Sequence, residues 1–140
     1  MSTRAEKLTP SVGQEVQYSD LTVNMRVHPN TGALTRVINS RSVAQALKLL
    51  LLTNVGEGLY DPLRGGNLRA ILFEQPSAFT SNDLRDEIKT TIFNHDSRVD
   101  RLKVDVQIAS TYDSYNVEIE FGLKNQAATE RFSLVLVRTR

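Results

Sequence analysis

The acidic residues offer this chain its best chance of chemistry. Glu57 and Asp61 lie close together, and Glu74 follows. Two carboxylates held about 5–9.5 Å apart can cleave a glycosidic bond, one as acid and the other as nucleophile or base. Glu57 and Asp61 lie in a glycine-dense loop, Gly56-Glu57-Gly58-Leu59-Tyr60-Asp61-Pro62-Leu63-Arg64-Gly65-Gly66. With 16 acids in the chain, such pairs also arise by chance. The blander reading is the stronger one: acids in a tight loop bond backbone amides and brace it. Tryptophan is absent and Tyr60 is the only aromatic in the loop, so no stacking platform for a sugar is apparent.

Other catalytic and ligand sets are harder to assemble. His28 falls in a predicted hairpin and His95 at a helix end, and no Gly-x-Ser-x-Gly elbow supports a triad. Two isolated histidines and no cysteine leave little for a metal or a thiol nucleophile. The glycine loop lacks the Gly-Lys-Ser/Thr of a phosphate loop. Catalytic, cofactor and metal residues are therefore not expected. The run Asn94-His95-Asp96-Ser97-Arg98-Val99 is of a different kind. An acid and an arginine two residues apart at an element junction can form a fixed charged knuckle. Arg98 can fork onto a carboxylate or onto helix-end carbonyls. Local capping is the first reading of these residues, and docking the second.

The elements that hold these residues follow from patterning. The chain has 140 residues, within the range of one domain, and a formal charge of +1. Near-neutrality argues against a general nucleic-acid partner. The longest apolar run, Leu49 to Leu52, is far short of a membrane span, and the N-terminus has no apolar leader segment. Residues 1–17 read as a flexible arm. Leu21–His28 and Ala33–Ile38 read as a β-hairpin around Pro29-Asn30-Thr31-Gly32, with Leu21, Val23, Met25 and Val27 on a buried face.

A helix is expected over Ser40–Asn54, capped by Asn39 or Ser40. Its apolar residues wrap nearly all round the C-terminal half, which places it centrally. A short helix follows over Leu68–Phe73, then a third over Ser81–Asn94. Thr80 and Asp83 form a near-capping box there, and Asp83, Asp86 and Glu87 suit the positive end of the dipole. Leu84, Ile88 and Ile92 make its seam. Three alternating strands then form a meander through Leu102–Ile108, Val117–Leu123 and Phe132–Leu136, with one apolar face. The fold class is α+β in two layers: an antiparallel β-meander packed against about three helices, with an N-terminal β-hairpin.

These landmarks, in order, resemble the small baseplate wedge subunit, or sheath initiator, of contractile-tailed phages. Type VI secretion baseplates contain relatives, and family sequences often carry the label lysozyme-like. The matching pieces are Tyr18-Ser19-Asp20-Leu21, the leucine-rich helix from Asn39 to Thr53, Gly56-Glu57, Asp61-Pro62, Gly65-Gly66-Asn67-Leu68, Leu72-Phe73-Glu74 and Arg98-Val99-Asp100. They run from about residue 18 to 138, so residues 18–140 are taken as one wedge domain. The family commonly has Glu-Pro-Arg after the third helix. Here Asp96, Ser97 and Arg98 take those places, which shortens the acid and loses the proline.

The resemblance implies a structural, non-enzymatic part of the virion tail baseplate, assembled in the host cytoplasm. It implies multiple copies in a six-fold baseplate around the tail tube or hub, with no nucleic-acid or membrane partner. Asp96, Ser97 and Arg98 would dock on the larger wedge proteins. The sheet would offer an edge strand to the tail sheath subunit, and Arg131, Ser133, Val135 and Val137 mark the edge expected to do so. The alternative for that edge is cover by the N-terminal hairpin. Gly56, Glu57, Asp61, Pro62, Gly65 and Gly66 would be a structural loop. The rival function is a peptidoglycan hydrolase using Glu57 and Asp61 or Glu74, and the type VI secretion subunit is a third reading.

Overall fold

The fold was obtained as a computed structural model, which describes residues 18–109, 113–124 and 126–138. The arm expected over 1–17 lies outside the described residues. The elements run β1 (Ser19–Leu21), β2 (Arg36–Ile38), α1 (Asn39–Leu52), α2 (Leu68–Leu72), α3 (Ala78–His95), β3 (Val99–Ile108), β4 (Ser114–Leu123) and β5 (Thr129–Val137). The α+β reading holds. The meander has strand order β3-β4-β5, antiparallel throughout, and β1-β2 is a separate two-stranded sheet.

Alternation decides which sheet face is covered. Val104 and Val106 of β3, Tyr115, Val117, Ile119 and Phe121 of β4, and Leu134 and Leu136 of β5 are buried. They share one core with Val43, Leu47 and Leu51 of α1, Leu68 and Leu72 of α2, and Leu84, Ile88 and Ile92 of α3. The seam read for the third helix is thus the core seam, and all three of its residues are 0% exposed.

The hairpin forms, but its strands are short. Ser19 pairs with Ile38 and Leu21 with Arg36, and a lone bridge joins Val27 to Leu34. The expectation of a buried face fails there. Leu21, Val23, Met25 and Val27 are exposed: the hairpin is tied to α1 by the Gln45 side chain, which bonds Val23 N and Leu21 O, and these four residues lie outside the core.

The helix starts also differ from expectation. The N-cap of α1 is Ile38, with no side-chain cap. Asn39 instead takes a left-handed φ of 53° at the β2–α1 junction, and its Oδ1 is buried without a partner among the described residues. The C-terminal half of α1 is not buried all round, since Leu49 and Leu52 face outward. For α3 the cap is Ser77, not Thr80, and its Oγ accepts from Thr80 N at 3.1 Å. Thr80 is buried and its hydroxyl donates to Gln75 O instead. The earlier start moves Asp83, Asp86 and Glu87 beyond the first turn, away from the dipole's positive end. Glu87 accepts from Asn67 N at 2.9 Å and ties α3 to the start of α2.

Candidate functional site

The glycine loop is braced from within. Glu57 accepts from Asn54 N at 3.0 Å and from Asn54 Nδ2 at 2.8 Å. Gly56 N donates to Pro62 O at 2.7 Å, and Arg64 N to Asp61 O at 3.1 Å. Gly65 has φ +131°, and a Cβ there would lie 2.5 Å from Thr53 O. A Cβ on Gly66 would meet Thr91 Oγ1 at 2.8 Å, so the loop packs directly on α3. The structural-loop reading of Gly56, Glu57, Asp61, Pro62, Gly65 and Gly66 is consistent with these contacts. The Asn54 backbone N–H, then its side-chain amide, hold the Glu57 carboxyl below the usual carboxylate range. A glycosidase acid needs the opposite shift. Leu59, Tyr60 and Leu63 of the loop are turned to solvent.

The knuckle is built on the end of α3. Asp96 is the helix C-cap, and its N–H returns to Ile92 O at 2.8 Å. Its Oδ1 accepts from Arg98 N at 3.0 Å and Arg98 Nε at 2.9 Å, and its Oδ2 from Arg98 Nη2 at 2.6 Å. This fork is the bidentate pairing expected of an acid and arginine so spaced. Arg98 O accepts from Lys124 N at 3.0 Å, which fastens the knuckle to the end of β4. The Arg98 guanidinium lies over the Tyr18 ring at 5.4 Å. Burial opposes ionisation of Asp96, but the Arg98 side-chain and backbone hydrogen bonds outweigh it and hold the carboxyl below its ordinary range. Asp96 is buried, Arg98 half-buried and Ser97 exposed. The fork engages Nε and Nη2 of the guanidinium, and among the described residues Nη1 forms no hydrogen bond.

The Tyr18 contact was not legible in the sequence. Eighty residues separate Tyr18 from Arg98, and only the pairing of β1 with β2 brings Tyr18 to the start of α1 and the knuckle. Tyr18 O accepts from Asn39 N at 2.6 Å.

β5 is an edge strand. Its pairing with β4 is regular from Ser114↔Val137 to Gly122↔Thr129, and Arg138 N donates to Asp113 O at 2.7 Å. Antiparallel hydrogen bonding alternates residue by residue. Arg138, Leu136, Leu134 and Phe132 therefore point their main-chain groups at β4. Arg131, Ser133, Val135 and Val137 point theirs outward. Among the described residues neither β1 nor β2 pairs with β5. Val135 and Val137 are 59% and 63% exposed.

Among the described residues the sheet thus ends on an unpaired β5 edge, and the end of α3 carries the forked Asp96–Arg98 pair. Comparison with known proteins narrows this further. Residues 39–128 match the family model for baseplate wedge protein gp25. The chain is 31% identical over 108 residues to the baseplate wedge protein gp25 of Enterobacteria phage T4, covering 76% of this chain and 80% of that protein. It belongs to the baseplate wedge protein gp25 family, and with that family it is a structural component of a contractile injection baseplate. Solved structures agree on the fold. A Geobacter sulfurreducens protein labelled a tail lysozyme superposes with TM-score 0.66 at 16% identity, over 71% of this chain and 91% of its own. A chain of a type VI secretion baseplate complex gives 0.59 at 16%, over 71% and 93%. One from the anti-feeding prophage baseplate gives 0.59 at 19%, over 89% and 88%.

Proposed function

We propose that this chain is a non-enzymatic wedge subunit with two working surfaces. One docks on the larger wedge proteins through Asp96, Ser97 and Arg98. The other templates the tail sheath by strand addition along Arg131, Ser133, Val135 and Val137. The free β5 edge carries the reading, since outward N–H and C=O groups on an edge strand are satisfied best by another extended chain. The knuckle supports the first surface, because its arginine is pre-ordered by Asp96 and Tyr18 and still holds unused donors. A pre-ordered side chain loses less entropy on docking.

Residues 18–140 act in this reading as one domain. Several copies sit in a six-fold baseplate around the tail tube or hub, and the subunit joins the wedge in the host cytoplasm. Against the hydrolase alternative, the Glu57 carboxylate is already engaged by Asn54. Co-purification with the large wedge proteins, wild type beside Arg98→Ala, tests the docking surface. Retrieval by wild type and loss in a folded Arg98→Ala protein is expected. Equal retrieval by both would remove the knuckle from the interface.

A further inference from the structure

The β5 edge has apolar walls beside it. A cavity of about 410 Å³ lies between the hairpin, α1 and the start of β5, lined by Val23, Leu49, Leu52, Phe132 and Ser133. A second, of about 300 Å³, lies between the end of α1, α2 and the end of β5, lined by Leu51, Leu52, Leu68, Leu72 and Val137. Leu52 lines both. Leu49 and Leu52 are 45% and 52% exposed, although they sit on the helix nearest β5. Each cavity also has one cation in its wall, Lys48 in the first and Arg69 in the second. Among the described residues neither has an acidic partner within 4 Å, and Arg69 acts on the Glu57 carboxylate only at longer range.

A chain laid on the outward groups of β5 must turn alternate side chains toward this helical wall. Strand residues rise about 3.4 Å each, so same-face side chains fall roughly 7 Å and 14 Å apart. The cavities meet β5 at Phe132 and Ser133 and at Val135 to Val137, so the core-facing positions beside them, Phe132 and Leu136, are four residues apart. One incoming side chain therefore enters the first cavity, the side chain four residues on enters the second, and the one between them lies over Leu52.

We infer that the β5 edge selects an extended segment of a partner protein with apolar side chains at positions i and i+4 and acidic residues flanking them. This rests on the strand-addition reading and adds the chemistry of the occupant. The unpaired main chain calls for an extended segment, the cavities for apolar side chains, and Lys48 and Arg69 for the acids.

The test uses the full chain, isotope-labelled, and synthetic nine-residue peptides. The parent peptide alternates threonine outward with valine inward and has glutamates at both ends. A second has lysine ends, and a third has serine at the i and i+4 positions. Peptide binding is followed by amide shifts along β5. The glutamate-flanked peptide is expected to bind at least tenfold more tightly than the lysine-flanked one, with the gap closing at high salt. Lys48→Glu with Arg69→Glu should reverse that order, and the serine peptide should bind at least tenfold more weakly than its parent.

All peptides binding alike at β5, and all lost in Val135→Pro, would keep strand addition and overturn the selectivity. No shift along β5 with any peptide would overturn both. Two findings without peptide would also overturn the proposed occupant. Slow exchange of the Ser133 and Val135 amides would mean that the chain covers its own edge. Concentration-dependent shifts along β5 would mean that a second copy does.

Discussion

Asp96 and Arg98 form a closed two-residue clamp. One carboxylate takes the Arg98 backbone N–H, Nε and Nη2 at 3.0, 2.9 and 2.6 Å. The short acid is enough because the turn brings Arg98 N within reach of the same oxygen that binds Nε. The guanidinium is held in one orientation between Asp96 and the face of Tyr18. Exposed ion pairs contribute little, but this pair has a buried acid and a forked geometry, so losing one partner should be felt.

Arg98→Ala leaves a buried carboxylate without its main donor. We expect a folded protein destabilised by about 1.5–3 kcal/mol, since hydrogen bonds to charged groups contribute on that scale. Chemical denaturation of both proteins at pH 7 measures it. No change in stability would show the clamp to be energetically idle.

The pH dependence follows from the same pair. The folded Asp96 carboxyl titrates below its ordinary value of 3.8. Its contribution is complete above that value and is lost as the pH falls through the lower folded one. The Tm gap between wild type and Asp96→Asn should therefore be widest near neutrality and shrink toward pH 2. Melting curves across that range would contradict the assignment if the gap stayed constant.

Ser97→Pro restores the proline common in the family at this place. Asp96 has extended dihedrals, φ −128° and ψ 100°, which suit a residue before proline. The clamp uses the N–H of Arg98, not that of Ser97. Stability should hold or rise by up to about 1 kcal/mol through a stiffer unfolded chain. A loss of more than about 1 kcal/mol would mean that the turn here differs from the one proline fits.

Three further substitutions test the scaffold. Gly65→Ala forces a left-handed φ on a residue with a Cβ and drives that atom into Thr53 O, so a loss of roughly 2 kcal/mol or more is expected. Ser77→Ala removes the α3 cap and should cost about 1 kcal/mol, while Asp83→Ala should cost less because Asp83 is not at the helix start. Thermal melts rank the three, and Asp83→Ala proving worse than Ser77→Ala would restore the later helix start.

Much of the fold was legible because its periods are clean. Leu84, Ile88 and Ile92 repeat every four residues, and Val117, Ile119 and Phe121 every two, so the seam of α3 and the inner face of β4 followed directly. The hairpin misled because Leu21, Val23, Met25 and Val27 alternate just as a half-buried strand does. Patterning records that a face is apolar, not whether this chain or another covers it. Leu49 and Leu52 misled in the same way. The cap of α3 was missed because Thr80 and Asp83 offered a second plausible start three residues after Ser77. The knuckle was found through local spacing, whereas its Tyr18 contact and the walls beside β5 arise from tertiary arrangement.

The central claim is that an unpaired β5 edge does the work of assembly. The direct measurement is sheath seeding by purified baseplates that carry Val135→Pro. Val135 turns its N–H away from β4, so proline there removes a donor from the edge without breaking the ladder. The substituted subunit should fold and enter baseplates, and sheath seeding should fall at least tenfold. Equal seeding by wild-type and Val135→Pro baseplates would contradict the account.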